Sequence, residues 1–276
     1  VTHFEAMVLG IVQGLTEFLP VSSTAHLALV PWLMGWSDPG LAFDVALHVG
    51  TLLAVTVFFR QDLWAMARAF VKSLPRPDLS DAYQRLAWWV IVGCVPAVVA
   101  GVLLEDWIEG ALRSPAVIAT MLITVALLIA WAERRGSLTR DLEHLTWREA
   151  LLIGLAQACA LIPGTSRSGA TMTMALFLGF ARPEAARFSF LLGYPVILGS
   201  ALFKLKDLAA TGALSTHAVP LAIGIASSAV SGYLCVRFLL RFLASHTMSV
   251  FVVYRIVLGL VIIGLLASGM GGGLGL

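Results

Sequence analysis

The run Gln13-Gly-Leu-Thr-Glu17-Phe-Leu-Pro-Val-Ser-Ser-Thr-Ala-His26 gathers an amide, a carboxylate, three consecutive hydroxyls and an imidazole within a few helical turns. Gln13 and Glu17 are four apart and share one face of a helix. Pro20 ends that helix, and Ser22, Ser23 and Thr24 can cap the next, with His26 near its start. A second run, Pro163-Gly-Thr-Ser-Arg-Ser-Gly-Ala-Thr171, breaks at Pro163-Gly164. It then offers Thr165, Ser166, Arg167, Ser168 and Thr171 at or near a helix N-terminus. A guanidinium, several hydroxyls and free backbone N–H groups at a positive dipole end suit a phosphate. The acid, imidazole and hydroxyls of the first run suit proton transfer or nucleophilic attack on it.

Each group also has a plainer reading. The serines could be helix caps alone, Glu17 a buried acid bonded to a neighbouring helix, and His26 a satisfied core imidazole. Arg167 is harder to dismiss, because a guanidinium inside an apolar segment needs an anion or several carbonyls. Asp44 and His48, four apart in the next segment, are read equally well as supports for the site or as a structural pair. Cys94, Cys159 and Cys235 have no paired spacing and are expected to be small core residues, neither disulfides nor zinc ligands.

The elements that must position these groups are apolar. The chain has 276 residues, of which 59% are hydrophobic and only 12% charged. A soluble domain carries roughly 25% charged residues, and one globular core cannot hide this much apolar surface, so lipid is its natural solvent. A net charge of +2 gives no electrostatic case for nucleic acid. The N-terminus shows no basic leader, so insertion is expected to rely on internal segments.

Six stretches match the roughly 20 residues of a crossing: 42–60, 86–105, 114–133, 185–204, 218–240 and 249–268. Two more, 4–34 and 148–181, are interrupted by the polar runs above. Each half is short for a crossing, so both are expected to be re-entrant helical hairpins whose breaks line a shared polar pocket. The expected fold is an all-α polytopic membrane protein, a single membrane domain over 1–276. Gly10-Ile-Val-Gln13 parallels Gly154-Leu-Ala-Gln157, and Pro20 and Ser23 parallel Pro163 and Ser166, at an offset of about 144 residues. Repeats over 1–138 and 139–276, each a hairpin plus three spans, would be inverted in topology, with the site at their interface.

Charge sets the orientation. Arg60, Arg68, Lys72, Arg76 and Arg85 follow the first span, and Arg134, Arg135, Arg140 and Arg148 join the halves. Between them, Glu105, Asp106 and Glu109 outweigh Arg113. The basic connections are therefore expected in the cytoplasm, with Arg182, Arg187, Arg237, Arg241 and Arg255 on or near that side. Lys204 and Lys206 run against the trend.

The two polar runs resemble the signatures of the undecaprenyl-diphosphate phosphatases, the bacitracin-resistance family: a Glu/Gln-x-x-x-Glu motif leading to a downstream histidine, and Pro-Gly-x-Ser-Arg-Ser-x-x-Thr. The resemblance extends over essentially the whole chain in the order and spacing of its segments. It implies hydrolysis of undecaprenyl diphosphate to undecaprenyl phosphate and inorganic phosphate, which recycles the lipid carrier of peptidoglycan synthesis. It further implies a multi-pass protein of the bacterial inner membrane with its site open to the periplasm. Glu17, Ser23, His26 and Arg167 are the expected catalytic set. Glu17 acts as base or metal ligand, Ser23 or water as nucleophile, His26 as acid or base, and Arg167 on the phosphate. Gln13, Ser22, Thr24, Gly164, Thr165, Ser166, Ser168 and Thr171 are expected to bind substrate. A divalent cation, Mg2+ or Ca2+, would bridge Glu17 and the diphosphate. Gln13 stands where the family has Glu or Gln, so this chain brings one carboxylate fewer than it could. The expected partners are the polyprenyl diphosphate lipid and membrane lipids, with a homodimer left open. A transporter or flippase for a lipid phosphate is the rival, because inverted repeats with broken helices are also a transporter design.

Overall fold

In the computed structural model the described residues are 1–37, 39–111, 114–135, 137–210 and 218–268, without the side chains of 41–42, 105–111 and 203–210. The acidic loop read at Glu105, Asp106, Glu109 and Arg113, and the dissenting Lys204 and Lys206, therefore lie outside the described side chains. Among the described residues the protein is all-helical: α1 (His3–Phe18), α2 (Ser23–Met34), α3 (Leu41–Phe58), α4 (Arg60–Ser73), α5 (Ala82–Ala111), α6 (Pro115–Arg135), α7 (Trp147–Cys159), α8 (Arg167–Phe177), α9 (Arg182–Ala210), α10 (Ala218–Leu243) and α11 (Ser249–Ala267).

Among the described residues, five helices are long and apolar enough to cross a membrane: α5 over Ala82–Leu104, α6, α9 over Arg182–Leu202, α10 and α11. The first expected span, 42–60, corresponds to α3, which is followed by a sharp bend. α3 ends at Phe58 and the chain bends by 82° into α4, and among the described residues this pair is the sixth candidate span, the side chains of 41–42 at its start lying outside them. The physical reason for the bend lies in α4 itself. It opens on Arg60-Gln-Asp62, carries Arg68 and Lys72, and buries only Met66, Ala69 and Ser73. Such an amphipathic helix with Trp64 outward prefers an interface to a hydrocarbon core. Elsewhere large apolar side chains point outward, Val102 and Leu103 being 74% exposed, as lipid-facing residues would be.

Both interrupted segments are pairs of short helices. α1 and α7 each start on a Thr-x-x-Glu capping box, Thr2 with Glu5 and Thr146 with Glu149. In each, the cap hydroxyl and the glutamate satisfy two orphan backbone donors reciprocally. α1 then packs on α10 through small residues. A Cβ on Gly10 would lie 2.0 Å from Ser227 Oγ, and one on Gly14 2.0 Å from Ser231 Oγ. α7 meets α5 in the same manner, a Cβ on Gly154 falling 2.3 Å from the Gly93 carbonyl. In lipid, where apolar burial drives helix association little, such close van der Waals approach supplies much of the packing.

The basic connections share one side. Arg85 Nη2 donates to the Glu143 carbonyl at 2.8 Å, and Arg187 Nη2 to Asp62 Oδ1 at 2.6 Å. Glu133, at the end of α6, accepts from Arg182 and from the Met248 backbone N–H, joining the starts of α9 and α11 there. Two expectations need correction. Arg255 does not lie with these arginines: it is fully buried within α11. Cys94 and Cys235 are buried, but Cys159 is exposed, on the face of α7 that also turns Leu152 and Leu155 outward. All three thiols are free.

Candidate active site

The two breaks meet. A cavity of about 200 Å³ is lined by Glu17, Ser23 and Thr24 from the first, by Ala160, Ser166 and Arg167 from the second, and by His48, Val196, Ile197 and Ser200. Its polar centre is the Glu17 carboxylate, which is buried. Oε2 accepts from Ser23 Oγ at 2.9 Å and from Gln13 Nε2 at 3.2 Å. Oε1 accepts from Arg167 Nη2 at 3.2 Å. A buried carboxylate is costly unless paired and hydrogen-bonded, and here three donors from three directions surround it.

Local backbone explains how these groups arrive. Ser22 (φ +76°) and Ser166 (φ +70°) both hold the left-handed region that non-glycine residues rarely adopt. Each directly precedes a helix, so the strained residue swings Ser23 and Arg167, the first residues of α2 and α8, into the cavity. Strain of this kind costs roughly 1–3 kcal/mol and persists only where the surroundings enforce it. Ser166 Oγ caps α8 by accepting from the Gly169 N–H at 3.2 Å. Arg167 also donates through Nη1 to the Ser189 carbonyl at 2.9 Å. Gly193 makes this pose possible, because a Cβ there would fall 1.8 Å from Nη1.

Other expected site residues stitch the breaks together. Ser168 Oγ donates to the Leu19 carbonyl at 3.1 Å, linking second break to first. Thr171 Oγ1 donates to the Arg167 carbonyl at 2.8 Å and lies 2.6 Å from Ser189 Oγ. Gly164 holds φ +89° against the α6 backbone. His26 does not line the cavity. Its Nδ1 donates to the Ser22 carbonyl at 2.7 Å, and its Nε2 therefore accepts from the Tyr254 hydroxyl. The imidazole that does line the cavity is His48, whose Nε2 lies 3.6 Å from Glu17 Oε2. His48 Nδ1 donates to the Asp44 carbonyl at 2.8 Å, which orients the ring. The bond is to a backbone carbonyl that any residue at 44 would supply, so the Asp44 side chain was not the signal for it.

Several buried polar atoms have no hydrogen-bond partner among the described residues: Gln13 Oε1, Ser22 Oγ, Thr165 Oγ1, Arg167 Nε and both amide atoms of Gln157. They belong to the helices and loops of the two breaks, and of their residues only Arg167 lines the cavity. The Gln13 carbonyl oxygen, buried and without a hydrogen-bond partner among the described residues, is the atom of this set that could join Glu17 and phosphate oxygens around a divalent cation. No cluster of three His, Cys, Asp or Glu occurs among the described residues, so the donor set suits a cation shared with substrate better than a protein-only cage.

Fold and site together define a multi-pass helical membrane protein with a buried carboxylate, hydroxyl and guanidinium at the meeting of two helix breaks. The family model described as bacitracin resistance protein BacA matches residues 6–261, and the chain belongs to that family. It is 50% identical over 268 residues to a protein of Thermomicrobium roseum named undecaprenyl-diphosphatase, with 94% of this chain and 96% of that protein covered. It is 51% identical over 258 residues to a protein of the same name from Hahella chejuensis, and 50% identical over 263 residues to undecaprenyl-diphosphatase 2 of Stutzerimonas stutzeri. Both matches cover 94% of this chain and 96% of the relative.

Proposed function

We propose that this protein hydrolyses undecaprenyl diphosphate to undecaprenyl phosphate and inorganic phosphate, recycling the lipid carrier of cell-wall synthesis and thereby acting in bacitracin resistance. The observation that carries the reading is the Ser23 hydroxyl on the Glu17 carboxylate at 2.9 Å, with Arg167 held on the same carboxylate. A polar pocket reached between lipid-facing helices suits a substrate with an isoprenoid tail and a diphosphate head.

In this mechanism Glu17 Oε2 takes the proton of Ser23 as Oγ bonds to the terminal phosphorus, and the bridging P–O bond breaks to release undecaprenyl phosphate. Glu17 passes that proton, directly or through His48, to the departing phosphate oxygen, so that its carboxylate is free again. Water then attacks the phosphoserine with Glu17 as base, releasing phosphate and restoring the serine. Arg167, with its unpartnered Nε, and the N–H groups opening α8 neutralise the transferring phosphoryl oxygens. His48 Nε2 faces the same space and serves the leaving or entering oxygen. His26 acts on Ser23 indirectly, by holding the Ser22 carbonyl. Thr24 and Ser166 contact the substrate from the cavity wall, whereas Gly164, Thr165, Ser168 and Thr171 shape the second break. Gln13 and Glu17 would hold Mg2+ or Ca2+ together with the diphosphate, the ion supplying charge neutralisation when bound.

The finer architecture we propose is two re-entrant hairpins, α1–α2 and α7–α8, in inverted repeats of one membrane domain. The capping boxes at Thr2 and Thr146 and the strained serines Ser22 and Ser166 support it, each pair being 144 residues apart. The shared basic side supports an inner-membrane orientation with that side cytoplasmic and the site open to the periplasm. A reporter after Arg135 should then be cytoplasmic and one near Glu109 periplasmic; the same compartment for both would contradict the topology. A homodimer is the assembly to test by mass in detergent. Phosphate release by purified protein in detergent micelles tests the function itself, since an enzyme needs no sealed compartment and a carrier does. No release from undecaprenyl diphosphate, with or without Mg2+ or Ca2+, would overturn the reading.

A further inference from the structure

Arg255 sits about two turns inside the most apolar span and makes no ion pair among the described residues, yet it is fully buried. Among the described residues its guanidinium donates only to carbonyls. Nη1 reaches Pro20 of the first break at 3.0 Å, and Nη2 reaches Gly164 and Thr165 of the second, each at 3.0 Å. Nε and Nη2 also reach Leu122 and Met121 of α6, at 3.1 and 3.2 Å. A helix break at membrane depth frees carbonyls that lipid cannot satisfy. One planar fork answers them for both breaks at once. The guanidinium also lies under the first turn of α8, since a Cβ on Gly169 would be 3.4 Å from Nη1. The preceding residue, Tyr254, donates its hydroxyl to His26 Nε2, with the two rings stacked 5.6 Å apart at 9°.

We propose that Tyr254 and Arg255 are positioning residues of the active site. Arg255 holds the two breaks in register so that Ser23 and Arg167 face each other, and Tyr254 fixes the His26 ring that holds the Ser22 carbonyl. The proposal rests on the phosphatase reading for its kinetic consequences and on the hydrogen bonds alone for its structural ones. Lysine cannot replace this arginine. A single ammonium has no planar fork and cannot serve carbonyls on three separate elements together. A purely electrostatic role would instead be met by either cation.

The test uses full-length wild type, Arg255→Lys, Arg255→Gln and Tyr254→Phe, purified in detergent. Hydrogen exchange should rise over 19–23 and 160–167 together in both Arg255 variants, while α5 and the body of α7 exchange as in wild type. kcat for undecaprenyl diphosphate should fall by about 100-fold in both, with KM changed far less, the pattern of misplaced reacting groups. If neither Arg255 variant folds, Tyr254→Phe decides. It should lower kcat by about tenfold in the wild-type background and have no further effect in His26→Ala, because it acts through that ring. Wild-type kcat in Arg255→Lys, unchanged exchange in either break, or an equal Tyr254→Phe loss without His26 would overturn the proposal. A wild type that releases no phosphate would sink the phosphatase reading, and the exchange measurement would still judge the tie.

Discussion

The two breaks are built on one frame and used differently. Each follows a helix that starts on a capping box, carries a glycine at a tight helix crossing and a glutamine one turn later, and ends at a serine with positive φ. In the first break the frame delivers a serine, and in the second an arginine. Gln13 donates to Glu17, but Leu161 stands 144 residues after Glu17, and the buried amide of Gln157 is left without a partner. The hydroxyls of the second break are largely spent on backbone carbonyls and on Ser189. One break therefore carries the reacting pair and the other a cation on a rigid support. The comparison teaches that a shared backbone device sets where a side chain points, while the residue in the next position sets its chemistry.

The largest effects should come from cutting the link between the breaks. Glu17→Gln removes the base and Arg167→Gln the phosphate's main cation. Each should lower kcat/KM by at least about 1,000-fold while the protein still inserts, the scale of losing a group that acts on transition-state charge. Phosphate release per mole of folded protein checks this, and near-wild-type turnover in either variant would remove that residue from the chemistry.

An intermediate effect concerns the cation. Chelation should stop turnover without unfolding the protein, and Mg2+ or Ca2+ should restore it, as expected for an ion held by few carboxylates plus phosphates. Gln13→Glu places a second carboxylate one turn from Glu17 and should lower the cation concentration for half-maximal rate by about tenfold, with little change in the maximal rate. If the variant only melts earlier and its cation dependence is unmoved, Gln13 is a hydrogen-bond donor to Glu17 and nothing more.

The smallest effects sharpen the asymmetry. Gln157→Leu removes a buried amide without a hydrogen-bond partner among the described residues, and should leave activity intact while raising stability by on the order of 1 kcal/mol. Gln13→Leu strips a donor from a buried carboxylate and should lower both activity and stability. Thermal unfolding in detergent distinguishes them, and equal behaviour of the two variants would contradict the division of labour.

Much of this was legible in the residues. Five crossings read directly from apolar runs, and the breaks from proline and polar punctuation, because lipid makes both signals strong. The bend after α3 was not legible: no proline or glycine marks Phe59, and only the charge pattern of Arg60–Ser73 hints that a new helix begins. The two capping boxes, Thr-x-x-Glu before an apolar run, were a signal in the sequence that went unread. Glu17, Ser23 and Arg167 stood out as ionisable or nucleophilic groups inside such segments. His26 was favoured by its nearness in sequence to the serines, yet a ring four residues after a carbonyl can turn back onto it, as both histidines do. Only tertiary packing decides that His48 faces the carboxylate. Arg255 was misplaced by counting it with the arginines at span ends, although a lone arginine deep in the most apolar segment was itself a signal. Gly193 carried none, since a glycine in a span reads as helix packing.

The central claim is that Ser23, held on Glu17, is the group that attacks phosphorus. Single-turnover phosphate release from undecaprenyl diphosphate, compared between wild type and Ser23→Ala in the same detergent, tests it most directly. The account predicts that the variant, folded and still binding the lipid, turns over at least about 1,000-fold more slowly. A single-turnover rate within a few-fold of wild type would contradict it and assign the attack to water.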